Sequence, residues 1–309
     1  MVLLLVLLFV YKKLNSKDNI QAFQALIERL RPSIIGATIG VLFIMMLVNW
    51  LLECAKWKYL CKPIESISFY TAIKSVFCGL SWAIFTPNRI GEYGGRVLFL
   101  SPRKRVFGIL AMAVGALAQL VITNVMGSIA LLWFLRTYQQ ISTPWFILGC
   151  VVVTLFIGIL VMLYFRIHLL NKVIHKWNWL GKVRRFFILL ERYQSRQLAY
   201  IFRLSMLRFL VFTSQYVLIM FVLLPDLPLV PTVWLIFLLF FIQSAMPSLD
   251  LLDVGVRSLT ASYLFGFITT QELAVMASTA SIWFINLIIP ALIGAVFVFK
   301  INFFDNSNH

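Results

Sequence analysis

Nearly uninterrupted apolar runs recur along this chain, as in Trp145 to Phe165 and Val233 to Phe241, and they set what it can fold into. With 61% of the 309 residues hydrophobic and 12% charged, the apolar surface exceeds what a globular core could hide. The sequence therefore predicts an all-α, polytopic integral membrane protein. A β-barrel would instead alternate apolar and polar positions over segments of about ten residues.

The formal net charge of +16 lies in loops rather than in one tail, which reads as cytoplasmic loops facing anionic lipid and not as a nucleic-acid surface. Such loops place the protein in the cytoplasmic (inner) membrane as a multi-pass protein. Cys54, Cys61, Cys78 and Cys150 have no CxxC spacing, and His168, His175 and His309 are scattered, so neither a metal nor a cofactor is expected. The cysteines read as apolar packing. No oligomeric state follows from the sequence.

The stretch 1–309 reads as one transmembrane domain. Residues 1–31 hold a short uncleaved apolar helix, MVLLLVLLFVYKKL, as though its beginning lay further upstream, and then an interfacial amphipathic helix with Ile20, Phe23, Ile27 and Leu30 on one face. The first half is 32–165. It contains a span from Pro32 to about Leu52 that ends in interface anchors (Lys56, Trp57, Lys58, Tyr59), and further spans at Val106–Leu135 and Trp145–Phe165. A basic cytoplasmic elbow follows at 166–203. Between Arg166 and Arg208 stand ten Lys or Arg against Glu191 alone. The second half, 204–300, has a span at Leu204–Leu224, the PDLP turn, and a helical region from about Glu272 to Phe299.

Two apolar arms stop in the same way. Thr86-Pro87 precedes Glu92-Tyr93-Gly94-Gly95-Arg96, and Met246-Pro247 precedes Asp253-Val254-Gly255-Val256-Arg257; both read acid-x-Gly-x-Arg. Paired Pro/Gly interruptions at corresponding positions of two halves point to a transporter built from internal repeats, each with a re-entrant hairpin. Re-entrant hairpins would put Lys56 to Lys62, the SPRKR turn, the elbow and Lys300 inside, making an inverted repeat. If both segments crossed the membrane, Lys12, Lys13, Lys17, Arg29 and Arg31 would move inside, with Lys56 to Lys62 and Lys300 moving out. Charge counting alone does not separate the two topologies; short arms and polar breaks favour the hairpins.

The residue types fit such a break. Pro87 and Pro247 end the incoming arms, and Gly91, Gly94, Gly95 and Gly255 are expected to let the chain turn. Glu92 with Arg96, and Asp253 with Arg257, are four apart and can neutralise each other on a restarting helix. Its free N–H groups favour an anion. Guanidinium groups match phosphate, so Arg89, Glu92, Arg96, Asp250, Asp253 and Arg257 form the candidate substrate-binding set. Gly91 and Gly95 also make a GxxxG packing spacing. Gln119, Asn124, Gln215, Gln243 and Asn286 fit hydrogen bonding between helices, or the lining of a path.

TPNRIGEYGGR after an apolar arm, preceded by ECAKWKYL and answered by MPSLDLLDVGVR, resembles the lysylphosphatidylglycerol synthase transmembrane region family, also described as flippase-like, in the form common in Bacteroidetes. The resemblance covers nearly the whole chain. It implies a helical domain that moves a phospholipid or lipid-linked substrate between leaflets, with Pro87, Gly91, Glu92, Arg96, Pro247, Gly255 and Arg257 as the matching positions. The second motif departs from the glycine-rich form in having Leu251 and Leu252. Only a short polar stretch follows Phe299, so lysyl transfer by a fused synthase domain is not implied. The alternatives are a membrane enzyme using Glu92, Asp250 or Asp253 as general base, and a non-transporting scaffold docking through the basic elbow.

Overall fold

The computed structural model describes residues 31–86, 89–166, 193–246 and 250–299, with five positions between 21 and 28. The first helix, the apolar face of the amphipathic helix (Ile20, Phe23, Ile27, Leu30), most of the basic elbow, Pro87, Pro247 and Lys300 lie outside the described residues. So do the side chains of residues 250–253. Every element among the described residues is helical. In chain order these are α1 (Pro32–Cys61), α2 (Phe69–Ala83), α3 (Ile90–Val97), α4 (Arg105–Thr137), α5 (Thr143–Phe165), α6 (Ser195–Leu223), α7 (Leu229–Ala245), α8 (Asp250–Phe265), α9 (Glu272–Trp283) and α10 (Ile289–Phe299). A π-turn, Phe284–Ile288, joins α9 to α10.

Among the described residues, five helical stretches are long and apolar enough to cross a membrane: α1, α4 with its short lead-in, α5, α6, and Glu272–Val298. At 17 residues α7 falls short of the roughly 20 that a perpendicular span needs. The helix α5 buries only Tyr164. Trp145, Ile147, Val151, Val152, Leu155 and Ile159 point outward, as on a helix solvated by acyl chains. It packs along α4, and the Tyr164 hydroxyl ties it to α6 by donating to the Leu198 carbonyl at 2.8 Å.

The centre is made by α1 against α6, α2 against α10, and α4 against α7. Within the chain, α2 folds back on α3, and α7 on α8. The α2/α3 hairpin is a backbone-on-backbone contact. A Cβ on Gly95 would lie 2.6 Å from the Gly79 Cα, and only glycine at both positions permits that approach. Likewise a Cβ on Gly294 would lie 1.9 Å from the Phe77 carbonyl oxygen, which is how α10 comes to lie on α2. Ser81 takes advantage of the closeness and donates to the Ala291 carbonyl at 2.6 Å.

Three expectations need correcting. The first span does not end near Leu52: α1 runs to Cys61, with Lys56 at 2% exposure and Trp57 at 0%. These are core residues, not interface anchors, because Glu53 pairs with Lys56 and the Trp57 indole donates to Ser75 Oγ at 2.8 Å. Next, the span expected from about Leu204 begins earlier, at Ser195, where α6 starts. Finally, Gly91, Gly94 and Gly95 lie inside α3, and Gly255 inside α8, so none forms the turn. The reversal before α3 uses Arg89 instead, at φ 57°, ψ 28°. Left-handed backbone is uncommon for a residue with a side chain and is found where surroundings fix it. At the described glycines no φ is positive; Gly91 and Gly95 instead permit close approach, to the Trp82 carbonyl and to Gly79.

Candidate functional site

Glu53, in the middle of α1 at 5% exposure, organises the buried charge. Its Oε1 accepts from Arg96 Nη1 at 2.7 Å, and its Oε2 from Lys56 Nζ at 2.7 Å and from Arg208 Nη1. Arg96 is 3% exposed and donates its other amino group to Glu92, one helical turn earlier. Glu92 also faces Arg89 Nε at 3.0 Å. A lone charge in hydrocarbon costs roughly 3 kcal/mol or more, so carboxylates placed between cations are what allow these groups to be buried.

The scaffold around this network is specific. Trp57 Nε1 donates to Ser75 Oγ, and Ser75 Oγ in turn donates to the Arg96 carbonyl at 2.8 Å, which locks α1, α2 and α3 together. Arg208 Nε donates to Asn49 Oδ1 at 3.0 Å, and its guanidinium lies 5.2 Å from the centre of the Trp50 ring. At the start of α3, the Gly91 N–H donates to Thr86 Oγ1 at 2.7 Å. That helix start is therefore partly capped from within the chain, and it offers an anion less than the sequence suggested.

Beside the network is a cavity of about 410 Å³. Its charged lining residues among those described are Arg89, Arg208 and Arg257. Polar side chains come from α1 (Asn49), α4 (Gln119, Thr123), α7 (Gln243, Ser244) and the π-turn (Asn286). The aromatic walls are Trp50, Phe209, Phe212, Phe240 and Trp283. Arg257 is positioned by Gln243, whose Oε1 accepts from its Nη1 at 3.1 Å. A cavity of this size, with three guanidinium groups in mostly apolar walls, has the dimensions of a small-ligand site.

The π-turn has a local cause. Pro290 has no N–H, so the carbonyl four residues earlier, that of Asn286, loses its helical donor. Trp50 Nε1 supplies one instead, at 3.2 Å from Asn286 O. Asn286 in this turn and Trp283 just before it line the cavity wall, and π-turns of this kind recur at functional sites.

Of the candidate set, Arg89 and Arg257 meet at the cavity, from opposite hairpins. Glu92 and Arg96 stand behind it as each other's counter-ions. Asp250 and Asp253 open α8, with their side chains outside the described residues. Of the polar residues expected in helix contacts, Gln119, Gln243 and Asn286 line the cavity. Gln215 bonds across to the Leu42 carbonyl, and Asn124 to Leu120 of its own helix. The sequence reading missed Glu53, Lys56, Arg208 and Asn49. A signal existed: Asn49, Glu53 and Lys56 are spaced four and three, one polar stripe on an apolar helix. Cys54, Cys61 and Cys78 are free and buried, Cys150 is free and partly buried, and no metal-binding cluster occurs among the described residues.

A second cavity, about 660 Å³ and almost entirely apolar, lies alongside. It is formed by Ile35, Ile39 and Leu42 of α1, Ile219 and Val222 of α6, Val254 of α8, and Ala277, Ala280 and Trp283 of α9. Trp283 belongs to both cavities. No known protein family, curated protein or solved structure matches the chain.

Proposed function

We propose that this protein moves an anionic phospholipid, or a lipid-linked anionic substrate, between the leaflets of the cytoplasmic membrane, as the flippase-like family does. The observation that carries the reading is the adjacency at Trp283: a polar cavity with three arginines on one side, an apolar groove on the other. An amphipathic ligand needs both, and a soluble anion needs only the first. The phosphate lies among Arg89, Arg208 and Arg257, and an acyl chain follows the groove between α1, α6 and α9.

Reciprocal packing supports two repeated halves. The leading helix of one half meets that of the other (α1 with α6), and each hairpin arm packs on the later helix of the opposite half (α2 with α10, α7 with α4). An inverted repeat with re-entrant hairpins predicts this exchange. The cavity takes residues from both halves, which suits alternating access by rocking one against the other. Glu92, held by two arginines, suits a counter-ion better than a general base.

The test is leaflet exchange of a fluorescent phosphatidylglycerol in proteoliposomes. Exchange faster than in protein-free vesicles, and slowed by Arg257→Ala, is the expected result. Exchange that Arg257→Ala leaves unchanged would contradict the site. Conversion of the lipid to a new species would favour an enzyme, and absence of both would favour a scaffold.

A further inference from the structure

The two ends of the bundle differ in charge. The Tyr193 hydroxyl donates to the Leu60 carbonyl at 2.7 Å, the Tyr164 hydroxyl to the Leu198 carbonyl, and the Ser101 N–H to Glu65 Oε2 at 3.1 Å. These bonds bring together the end of α1, the 101–105 turn, the end of α5 and the start of α6. This end carries Lys58, Lys62, Arg103, Lys104, Arg105 and Arg196, with Glu65 its one acid among the described residues. At the other end Trp133 meets Trp234 and Phe134 meets Phe267. The described charges there are Arg31 and Arg136 against Glu28, Asp226 and Glu272. In the sequence, the connection from α5 to α6 adds six Lys or Arg against Glu191, and the stretch before α1 four against Asp18 and Glu28. That contrast is the positive-inside signature of a cytoplasmic face at the basic end.

The two halves also differ in packing. From Asn49 to Cys61 eight residues of α1 are buried, whereas from Pro32 to Val48 only Leu42 and Met46 are. In the basic half α4 lies tight on α1: a Cβ on Gly115 would stand 2.8 Å from Leu60 Cδ1 and 3.5 Å from Lys56 Cε. In the other half the apolar cavity comes between α1 and α9. Its α1 lining, Ile35 to Leu42, lies within about 15 Å of the Pro32 end, and Val222 and Leu223 close α6 beside it. Ile39 and Phe284, at its lips, are 56% and 50% exposed, so the groove opens sideways. Thr38 leaves the wall apolar by donating to the Ile34 carbonyl of its own helix at 2.7 Å. The arginine cavity lies at mid-depth, since its residues Gln119 and Thr123 stand midway along α4.

Resting on the lipid-transport reading above, we propose that this form of the protein exchanges its lipid with the leaflet at the Pro32 end, the outer leaflet of the cytoplasmic membrane. An acyl chain lies in the sideways-open groove between α1 and α9, and the head group reaches the arginine cavity past Trp283. The half toward the basic end is filled, among the described residues, by Glu53 with Lys56, Arg96 and Arg208 and by the contact of α1 with α4. The inner leaflet is thereby shut off from the head-group cavity in this form.

The experiment is photo-crosslinking of the full chain carrying Phe284→p-benzoylphenylalanine, at the lip of the groove, or Leu163→p-benzoylphenylalanine, exposed near the basic end of α5. Fluorescent phosphatidylglycerol is added to right-side-out and to inside-out bacterial membrane vesicles, where it enters the outward-facing leaflet, and the samples are irradiated on ice before it can exchange. An impermeant maleimide on Lys62→Cys, read over the wild-type background, reports which surface the basic end faces. Capture at position 284 in right-side-out vesicles and its loss in inside-out ones is the expected result, with position 163 showing the reverse and Lys62→Cys labelled only in inside-out vesicles. Labelling of Lys62→Cys in right-side-out vesicles, or capture at position 284 in inside-out vesicles, overturns the proposal. Capture at position 163 with none at 284 in either orientation overturns it too, and a crosslink from 284 to residues 1–20 would name the chain itself as the occupant. Leaflet exchange in proteoliposomes separates this proposal from the reading beneath it. Exchange without the expected sidedness leaves transport standing and removes the outer-leaflet opening; the expected sidedness without exchange leaves the lipid groove standing and removes transport.

Discussion

The two hairpins carry one sequence pattern and use it differently. In the first, Arg96 is buried between Glu53 and Glu92, and α2 and α3 touch through glycine backbone. In the second, Arg257 is only partly buried, leans on a neutral glutamine and lines the cavity. An arginine buried between two carboxylates serves as a staple, and one only partly buried in a cavity wall stands where a ligand can reach it. Acid-x-Gly-x-Arg therefore specifies where charge enters the bundle, and the neighbouring helices decide its role.

The sharpest way to break this contrast is Glu53→Leu, which leaves Lys56, Arg96 and Arg208 without their shared carboxylate. Removing one partner of a buried ion pair costs about 3–5 kcal/mol, so a severe loss of folded protein on size-exclusion chromatography is expected. A variant of wild-type stability would show that the network is not a staple. Next comes Gly95→Ala, whose added methyl meets Gly79; overpacking of this kind costs about 1–3 kcal/mol and should lower the midpoint of thermal unfolding.

Arg257→Ala should behave in the opposite way. Its melting temperature should stay close to wild type while affinity for an anionic lipid falls about tenfold or more, as expected for a charge-assisted hydrogen bond worth about 1.5–3 kcal/mol. Equal losses of stability for Arg257→Ala and Arg96→Ala would erase the distinction. The smallest effect belongs to Trp50→Phe. Loss of the indole bond to Asn286 should cost about 1 kcal/mol in the wild-type background and less beside Pro290→Ala, where a restored backbone N–H competes for the same carbonyl. A double-mutant cycle of unfolding free energies reads that coupling.

The breaks were legible because proline, glycine and paired charges are local signals, and apolar run length marked the long helices directly. Of the two carboxylates around Arg96, Glu92 was legible from its spacing and Glu53 was not. Glu53 sits in ECAKWKYL beside lysines and a tryptophan, a composition equally suited to a helix end at the interface, and only the packing of α2, α3 and α6 around it makes it interior. Arg208 was obscured by the basic run before it; its role depends on Glu53 and Asn49, more than 150 residues away in sequence. The glycines were legible as necessary but not in function: turning and close packing both require a missing Cβ, and only tertiary neighbours distinguish them.

Native mass spectrometry of the purified protein with phosphatidylglycerol, comparing wild type, Arg257→Ala and a control change on the outward face of α5 such as Val152→Ala, tests the account most directly. Bound lipid retained by wild type and the control and lost in a folded Arg257→Ala variant is the predicted result. Equal retention by all three proteins would contradict it.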